Sequence, residues 1–562
     1  MNKRKIIESL DRLSSKKSVR YGVYLTAASA FFVLILFPPI LGIIIKWNTM
    51  PAVLDHPDIM TRVFDAVKNS FIVALLVSAL DVVTGIPMAW LITRGKSKWL
   101  DILDTLCDIP FIVPTAALGY SLLLFWSDPT KGISSLFANP LVSPGWLLVI
   151  LLHFTFSYPV VVRVVVGALL DYKIEYEQAS RTLGAPPLTA SRTVTLSIIK
   201  PSLIAAFILA FSRSLSETGA TFMVAGAFEN GPVFIQNVKN DFNAEPPRVD
   251  KYTYEGSLTF ASFILIAVAI IIFAVIHVLG PRLKIPAKKT WPKFERKMSY
   301  SKAATSRNSI TLLIFFAIVL IPSLFVALPA FEAVFTNTLP NSLLGVGVWG
   351  EYWQSILISY LLGVVVTVLN IVIGLPMAII VARRKFGTLP SAILDMLINI
   401  PLIVPSVALG VSLGFFWREN FTFIPEIVLL ILAHLAITYP YFVRSMSAAI
   451  ERISLDTEEA SRTLGARPLG VFRTIILPLT KYSIISGAII VFTRSISETG
   501  ATVAVLSRGT TLRTAPVVIV DWVKQVKPAS ALDIGLGCGF LILFSFIILL
   551  ALRLIVRGKG RY

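Results

Sequence analysis

The chain has 562 residues, of which 55% are hydrophobic and 15% charged, and its mean hydropathy is +0.78. This composition excludes an ordinary soluble globular protein and indicates a protein that crosses a membrane several times. The net charge of +19 could suit nucleic acid, but the basic residues are gathered in alternate loops, as topology signals are, so nucleic-acid binding is not expected.

Twelve apolar stretches are long enough to cross a bilayer, since about 30 Å of hydrocarbon takes about 20 helical residues. Backbone groups find no water there and no alternating strand pattern is present, so we expect an all-α polytopic protein. The predicted spans are 22–46, 67–93, 102–126, 144–170, 201–227, 257–280, 309–334, 354–382, 391–417, 425–450, 482–506 and 534–556.

Basic residues crowd both tails, the turn at Arg94, the turn at Arg383 and the segment 281–308. The loops 127–143 and 335–353 lie between them and contain one lysine and no basic residue, respectively. By the positive-inside rule, both termini and the segment 281–308 are predicted to be cytoplasmic.

The second part of the chain repeats the first. IPFIVPTAALGYSLLLFW is answered by IPLIVPSVALGVSLGFFW, while ASRTLGA and SETGAT each occur twice without change. The paired segments are 109–126 with 400–417, 179–185 with 460–466, and 216–221 with 497–502.

Six predicted spans in each half give both halves the same orientation in the membrane. They are therefore predicted to be parallel repeats, related by an axis along the membrane normal. We divide the chain into a first half at 1–280, a basic cytoplasmic linker at 281–308 and a second half at 309–562.

The repeated ASRTLGA lies in the loop between the fourth and fifth spans of each half. We expect a short helix that ends at Gly184 or Gly465, because glycine readily takes the left-handed conformation of a helix C-cap. Pro187 or Pro468 would then open a second helix. The pattern predicts a polar helix–glycine–helix knob outside the lipid, on the cytoplasmic side.

The fifth span of each half carries charge at membrane depth. Arg213 and Glu217 are four residues apart, as are Arg494 and Glu498, so each pair would share one face of a continuous helix. A charge at the bilayer centre costs about 2.5–3.5 kcal/mol on insertion scales, so these side chains are not expected to face lipid. We expect Glu217 and Glu498 to face each other across the axis and to line a gate or substrate cavity; a staple between helices is the alternative. The predicted pathway or gate residues are Arg213, Ser216, Glu217, Thr218, Gly219, Arg494, Ser497, Glu498, Thr499 and Gly500.

Other polar or helix-breaking residues in the spans have simpler interpretations. His153 and His434 occupy matching positions and are interpreted as packing histidines. Cys107 and Cys538 lie in apolar runs without metal-ligand spacing, so no metal site is expected. Two prolines in the third span of each half are interpreted as kinks: Pro110 and Pro114 in the first half, and Pro401 and Pro405 in the second.

The knob resembles the EAA motif of ABC importer permeases, in which Glu-Ala-Ala is followed by a glycine and then by Ile-x-Leu-Pro. The second copy matches this motif except at its middle position, and the first copy departs at its middle position and at the final proline. The matching residues are Glu177, Ala179, Gly184, Glu458, Ala460, Gly465, Ile475, Leu477 and Pro478, and the departures are Gln178, Ser197 and Glu459.

The resemblance covers nearly the whole chain and implies a fused permease of the type I importer class. The SETGAT segments are most similar to the group for iron(III), thiamine, sulfate and phosphonate. In that family each EAA loop docks on an ATPase subunit, which implies a homodimer of ATPases as partner. The residues implied to couple to it are Glu177, Ala179, Arg181, Gly184, Glu458, Glu459, Ala460, Arg462 and Gly465.

The chain has no G-x-x-x-x-G-K-[ST] phosphate loop, so nucleotide would be bound by another polypeptide. The resemblance further implies alternating access in the cell membrane, with a solute-binding protein outside and no cofactor or covalent chemistry in this chain. It implies a small charged solute, an iron(III)-like ion first and thiamine or a phosphonate or other oxyanion next. The residues themselves leave the sign of that charge open, because glutamate suits a cation and arginine an anion.

Two rival functions come from other classes. A secondary transporter could relay protons through Glu217 and Glu498, but it has no need of two docking knobs. An intramembrane enzyme could use the same pair as acid and base, but the sequence offers no nucleophile or metal cluster beside them.

Overall fold

The computed structural model describes residues 11–95, 97, 99–137, 139–244, 246–279, 282, 292–506 and 510–557. These residues form helices and loops, with no strand among them. Nine helices are long and apolar enough to cross a membrane, and up to twelve spans result if each of three bent helix pairs counts as one. The prediction of an all-α polytopic protein with about twelve spans is confirmed.

We number the twelve candidate spans in chain order. Spans 1 to 6 are Lys17–Thr49, Pro57–Arg94, Trp99–Phe111 with Thr115–Ser127, Trp146–Asp171, Pro187–Ile198 with Lys200–Ser216, and Lys251–Ile276. Spans 7 to 12 are Lys302–Val334, Trp349–Ala382, Thr388–Ile403 with Ser406–Asn420, Glu426–Glu451, Pro468–Ile496 and Ala531–Ile548. Shorter helices include Pro51–Leu54, Glu175–Thr182, Gly219–Val224, Gly231–Asn243, Pro292–Met298, Thr338–Leu343, Leu455–Thr463, Gly500–Val505 and Ala515–Val523.

The predicted division of the chain at 280/281 and 308/309 stays a prediction. Most of the first part of the proposed linker, residues 283–291, lies outside the described residues. From Pro292 onward the described chain is helical again, first in Pro292–Met298 and then in span 7.

Spans 3 and 9 break more sharply than the predicted proline kinks. Their two helical pieces meet at 102° and 103°, respectively. Val113 and Val404 have extended backbone, with ψ of 124° and 130°, directly before Pro114 and Pro405. The proline ring clashes with a helical conformation of the preceding residue, which explains why each helix ends there.

The first span of each half packs on the other half. In span 1, the ring of Phe31 stacks on Tyr439 of span 10 with a centroid distance of 5.6 Å. In span 7, the ring of Phe315 stacks on Tyr158 of span 4 at 6.2 Å. Span 1 contributes to the apolar cluster around spans 8 to 11, and span 7 to the cluster around spans 2 to 4. The two halves are therefore interlocked.

Candidate functional site

The helices of spans 5 and 11 end where the repeated SETGAT segments begin. Span 5 ends at Ser216, and Glu217 has extended backbone with φ −79° and ψ 131°. A new short helix then starts at Gly219, and its counterpart starts at Gly500. The predicted continuous helix from 201 to 227 is therefore wrong. Serine, threonine and glycine in this run are weak helix formers, and the segment satisfies its backbone in another way.

Each SETGAT glutamate caps the short helix that follows it. The Ala220 N–H donates to Glu217 Oε1 at 3.2 Å, and the Ala501 N–H donates to Glu498 Oε1 at 3.0 Å. Both glutamate side chains are buried. A carboxylate at a helix N-terminus satisfies free N–H groups and interacts favourably with the helix dipole. The glutamates thus stabilise the backbone at the point where the helix is interrupted.

The two arginines of spans 5 and 11 are held differently. Arg494 Nη1 lies 2.7 Å from Glu498 Oε2, and both side chains are at most 6% exposed. Arg213 instead lies over two rings of the first half, and its Nε donates to the Phe156 carbonyl at 3.3 Å. Among the residues that the structure describes, no ion pair joins Arg213 to Glu217. The predicted pairing therefore occurs in the second half and not in the first.

The two SETGAT segments meet at the centre of the molecule. The Gly219 N–H donates to Thr499 Oγ1 at 2.9 Å. A Cβ atom on Gly219 would come within 2.2 Å of Thr499 Oγ1, and one on Gly500 within 2.4 Å of Thr218 Oγ1. Only glycine allows this close approach. Threonine and glycine make the central contacts, while each glutamate carboxylate turns toward its own segment.

The serines of these segments bind the broken third span of the opposite half. Ser406 Oγ, at the start of the second helix of span 9, donates to the Ser216 carbonyl at 2.8 Å. Thr115 Oγ1, at the equivalent place in span 3, donates to the Ser497 carbonyl at 3.0 Å. The breaks at the prolines and the breaks at SETGAT therefore lie together, and the centre is closed in this structure.

His153 and His434 brace this centre within each half. The ring nitrogens of His153 lie 2.7 Å from Ser214 Oγ and 2.8 Å from Thr221 Oγ1. Those of His434 make the equivalent contacts to Ser495 and Thr502, both at 2.9 Å. Each histidine thus joins the long helix to the short one across the break, in agreement with a packing role.

A cavity of about 520 Å³ lies beside the central contact. Thr218, Gly219 and Thr499 form part of its wall, together with Lys239 and Arg513. Lys239 is buried and donates to the carbonyls of Val503 and Leu506, the second at 2.7 Å. Arg513 forms an ion pair with Asp521, which also lines the cavity. Sequence reasoning missed Lys239, although a lysine in a loop predicted to be outside, where cations are few, is a usable signal.

Burial, together with the nearby Arg418 guanidinium, lowers the pKa of Lys239 to about 7. The lysine is therefore close to the point at which it gains or loses its charge at neutral pH. A positive charge here would attract an anion to the cavity beside the closed centre.

The two knobs have the predicted helix–glycine–helix form. Gly184 and Gly465 follow the helices Glu175–Thr182 and Leu455–Thr463 with φ of +90° and +89°. In the first knob the Gly184 N–H donates to the Arg181 carbonyl at 3.0 Å, and the next N–H reaches back to Ser180 at 3.2 Å. The second knob repeats this pattern, which is the Schellman arrangement of a helix end.

An exposed leucine forms the tip of each knob. Leu183 is 90% exposed and Leu464 is 89% exposed, directly before the glycines. Each leucine side chain is therefore available for contact with another molecule. Most predicted coupling residues are exposed around these tips: Ala179, Arg181, Gly184, Glu459, Ala460, Arg462 and Gly465.

One glutamate of each knob, Glu177 or Glu458, makes contacts at the base of the knob. Glu458 Oε1 accepts from Arg383 Nε at 2.8 Å, and both side chains are at most 6% exposed. Arg383 also donates to the Ile453 carbonyl at 2.8 Å. In the first knob, Glu177 Oε2 accepts from Thr195 Oγ1 at 3.0 Å. The knobs are therefore alike at the tip and different at the base.

A segment from elsewhere in the chain caps the second helix of the second knob. The Gly470 N–H donates to Asp11 Oδ1 at 3.0 Å, and the Leu469 N–H donates to Ser14 Oγ at 3.2 Å. These side chains take the place of an N-cap at the helix that Pro468 opens. The residues that precede span 1 thus contact the knob of the other half.

The first knob has a matching cap from the helix Pro292–Met298, which precedes span 7. The Leu188 N–H donates to Ser299 Oγ at 3.2 Å, and Glu295 Oε1 lies 2.6 Å from Arg192 Nε. The Arg192 guanidinium and the Thr189 hydroxyl lower the pKa of Glu295. We call the segment before span 1 and the segment before span 7 the leading segments. The contacts that they make with the knobs are called the crossed caps, because each leading segment caps the knob of the opposite half.

The family model for binding-protein-dependent transport system inner membrane components matches the chain twice, at residues 82–285 and 374–558. The chain is 32% identical over 253 residues to the sulfate transport system permease protein CysT of Salmonella typhimurium, a match that covers 44% of this chain and 87% of that protein. It is 30% identical over 254 residues to CysT of Escherichia coli, with the same coverage of 44% and 87%. It is also 33% identical over 170 residues to the molybdenum transport system permease protein ModB of Escherichia coli, covering 28% of this chain and 72% of that protein.

Proposed function

Since the chain belongs to the family of binding-protein-dependent transport system inner membrane components, we propose that it forms the translocation pathway for an inorganic oxyanion of the sulfate or molybdate type. It is a fused type I ABC importer permease, in which one polypeptide carries both halves. Transport would be driven by ATPase subunits on other chains, so this chain would carry out no covalent chemistry.

The observation that carries the choice of an anion is the placement of Lys239. It lies in the wall of the cavity that touches Thr218 and Thr499, with the Arg513 guanidinium in the same wall. The similar permeases carry sulfate and molybdenum in their names. Sulfate is an oxyanion, and dissolved molybdenum at neutral pH is the oxyanion molybdate. An iron(III)-like ion, the first expectation from the sequence, finds no support among these relatives, and we do not propose it.

In the proposed mechanism, the SETGAT contact is the closed gate. A binding protein would release the oxyanion into the cavity beside Lys239, on the side predicted to be outside. ATP binding to a homodimer of ATPase subunits would bring the two knobs together and separate the contact between Gly219 and Thr499. Because both knobs lie in loops directly before spans 5 and 11, their motion is passed to the gate along these two helices.

The proposed docking is tested by cross-linking. Leu183→Cys and Leu464→Cys would each be treated with a short bifunctional reagent in membranes that contain the ATPase. Leu136→Cys is the control, because Leu136 is 78% exposed on the opposite side of the bundle. We expect both knob variants to capture an ATPase subunit and the control to capture none. Failure of both knob variants would contradict the docking.

The proposed substrate is tested by uptake into vesicles with the chain, its ATPase and its binding protein. Labelled sulfate and labelled molybdate are expected to accumulate only with ATP, and each should compete with the other. Iron(III) and thiamine should neither accumulate nor compete. ATP-dependent uptake of thiamine or iron, with no uptake of either oxyanion, would refute the anion proposal and leave the docking intact.

A further inference from the structure

A cleft of about 640 Å³ lies between the start of span 1, the end of span 8 and the second knob. Its deep wall is apolar and consists mainly of Ile371, Val372, Leu375 and Ile379 of span 8, with Val23 of span 1 opposite. Val372 is 63% exposed and Val23 is 50% exposed. In a membrane protein such side chains face lipid, so the cleft is open to the bilayer.

The cleft has the depth of one leaflet. The wall from Ile371 to Ile379 rises about 12 Å along the helix axis, at about 1.5 Å per residue. One leaflet of a bilayer contributes about 15 Å of hydrocarbon. Span 8 ends at Ala382, just beyond this wall, so the mouth of the cleft lies at the membrane surface that carries the knobs.

The mouth of the cleft has an excess of positive charge. Four cations line it or lie at its edge, Arg20, Arg383, Lys385 and Arg462, against the single carboxylate Glu458. Glu458 already has two cationic partners. Its Oε1 lies 2.8 Å from Arg383 Nε, and its Oε2 lies 3.7 Å from Arg462 Nη2. Burial lowers the pKa of Lys385, and repulsion from Arg462 adds to this effect.

Arg20 and Lys385 are the two cations that remain for a ligand. Within the described part of the chain, neither of them has an ion pair. An anion at the mouth of the cleft would relieve the repulsion among these side chains, and an apolar tail would cover the wall behind them.

The equivalent cleft of the first half lacks this combination. It measures about 360 Å³, and among the residues that the structure describes Arg307 is the one charged side chain in its lining. Val83 and Pro87 lie in its wall at the positions that Val372 and Pro376 hold in the larger cleft, so the two clefts share wall positions but differ in volume and in the charged side chains described in their linings.

We propose that the second-half cleft binds one anionic phospholipid of the leaflet on the knob side, with its acyl chains on span 8 and its phosphate at Arg20 and Lys385. Basic pockets between membrane helices on the cytoplasmic side are suited to anionic headgroups. This lipid would touch the second knob as well as the leading segment that caps it. Binding would thus give one of the two knobs a dependence on lipid charge, whatever solute the permease carries.

The test is lipid retention by the purified full chain in nanodiscs or detergent. Phosphatidylglycerol and phosphatidylcholine are supplied in equal parts, and the lipid that stays bound is identified by native mass spectrometry. The variant Arg20→Gln with Lys385→Gln removes the headgroup charges, and Arg307→Gln is the matched control in the first-half cleft. Since each cation contributes about 1 kcal/mol toward an anionic lipid, the double variant should bind phosphatidylglycerol about thirtyfold more weakly. The control should bind it as the unchanged chain does.

A second pair of variants separates lipid binding from a general loss of structure. Val372→Trp fills the apolar wall without changing any charge, and Val83→Trp is its match in the first half. We expect Val372→Trp to lose the bound lipid and Val83→Trp to keep it, with identical size-exclusion profiles. A free anion is distinguished by adding inorganic phosphate, which should not displace phosphatidylglycerol.

Three results would overturn the proposal. The first is equal retention of phosphatidylcholine, which would show that charge is not recognised. The second is equal retention of phosphatidylglycerol by all variants. The third is displacement by inorganic phosphate, which would assign the cations to a soluble anion instead of a lipid.

Discussion

At the scale of single residues, the repeat conceals an asymmetry in how buried charge is neutralised. Arg494 has its carboxylate partner at 2.7 Å, whereas Arg213 rests on aromatic rings and a carbonyl. Sequence reasoning predicted two identical pairs because the letters are identical. The difference comes from neighbours such as Phe111 and Phe156, whose approach depends on the packing of other spans.

This asymmetry predicts unequal costs for two equivalent substitutions. Glu498→Gln removes the countercharge of Arg494, and breaking a buried pair on one side costs about 3–5 kcal/mol. Glu217→Gln should cost clearly less, because its amide oxygen can still accept from the Ala220 N–H and Arg213 is not its partner. Chemical unfolding of the two purified variants measures the difference. Equal losses would contradict the asymmetric pairing.

The Lys239 ammonium predicts a pH dependence of oxyanion uptake. Its pKa is lowered to about 7, so the side chain is charged below that pH and neutral above it. Uptake at limiting substrate should therefore rise as the pH falls through about 7. Lys239→Arg stays charged and should flatten this profile, while Lys239→Gln should give low uptake at every pH. A wild-type profile in both variants would exclude Lys239 from anion attraction.

At the scale of elements, the sequence predicts the knobs well and the breaks poorly. Glycine and proline at fixed spacing define the helix–glycine–helix form, because both act through local backbone geometry. The break at Glu217 was missed because four-residue spacing favours a continuous helix. It forms because the opposite half supplies contacts, such as Ser406 to Ser216, that no local pattern contains.

The cap on the second knob predicts a local effect at the helix start. Asp11→Ala removes the acceptor for the Gly470 N–H, and loss of a helix cap costs about 0.5–2 kcal/mol. Hydrogen exchange at Leu469 and Gly470 should become faster, with little change at Leu188. Ser299→Ala removes the acceptor for the Leu188 N–H, so it is the matched variant and should act on the first knob only. Faster exchange in both knobs from either substitution would contradict separate caps.

At the scale of the whole molecule, each half is held to the other by its first span. Span 1 packs on spans 8 to 10 and span 7 on spans 2 to 4, through contacts such as Phe31 with Tyr439. The sequence repeat predicts two like halves in parallel. It does not predict that the first span of each half packs on the other half, because the sequence of an apolar span does not specify which spans it contacts.

Interlocking predicts that the covalent link is dispensable for assembly. Coexpression of two pieces, divided within residues 283–291, should give a complex that copurifies on a tag placed on either piece. Removing residues 1–49 from the first piece should weaken the complex, because Tyr439 and its neighbours would lose the covering of span 1. Copurification yield measures both. Pieces that separate while each stays folded would show that the linker is essential.

The crossed caps also have a consequence for synthesis. Asp11 is synthesised 459 positions before the Gly470 backbone that it binds. The cap of the first knob can form sooner, because Ser299 follows Leu188 by only 111 positions. During synthesis the first half must therefore persist without the contact between Asp11 and the second knob, which forms only after that knob has been translated.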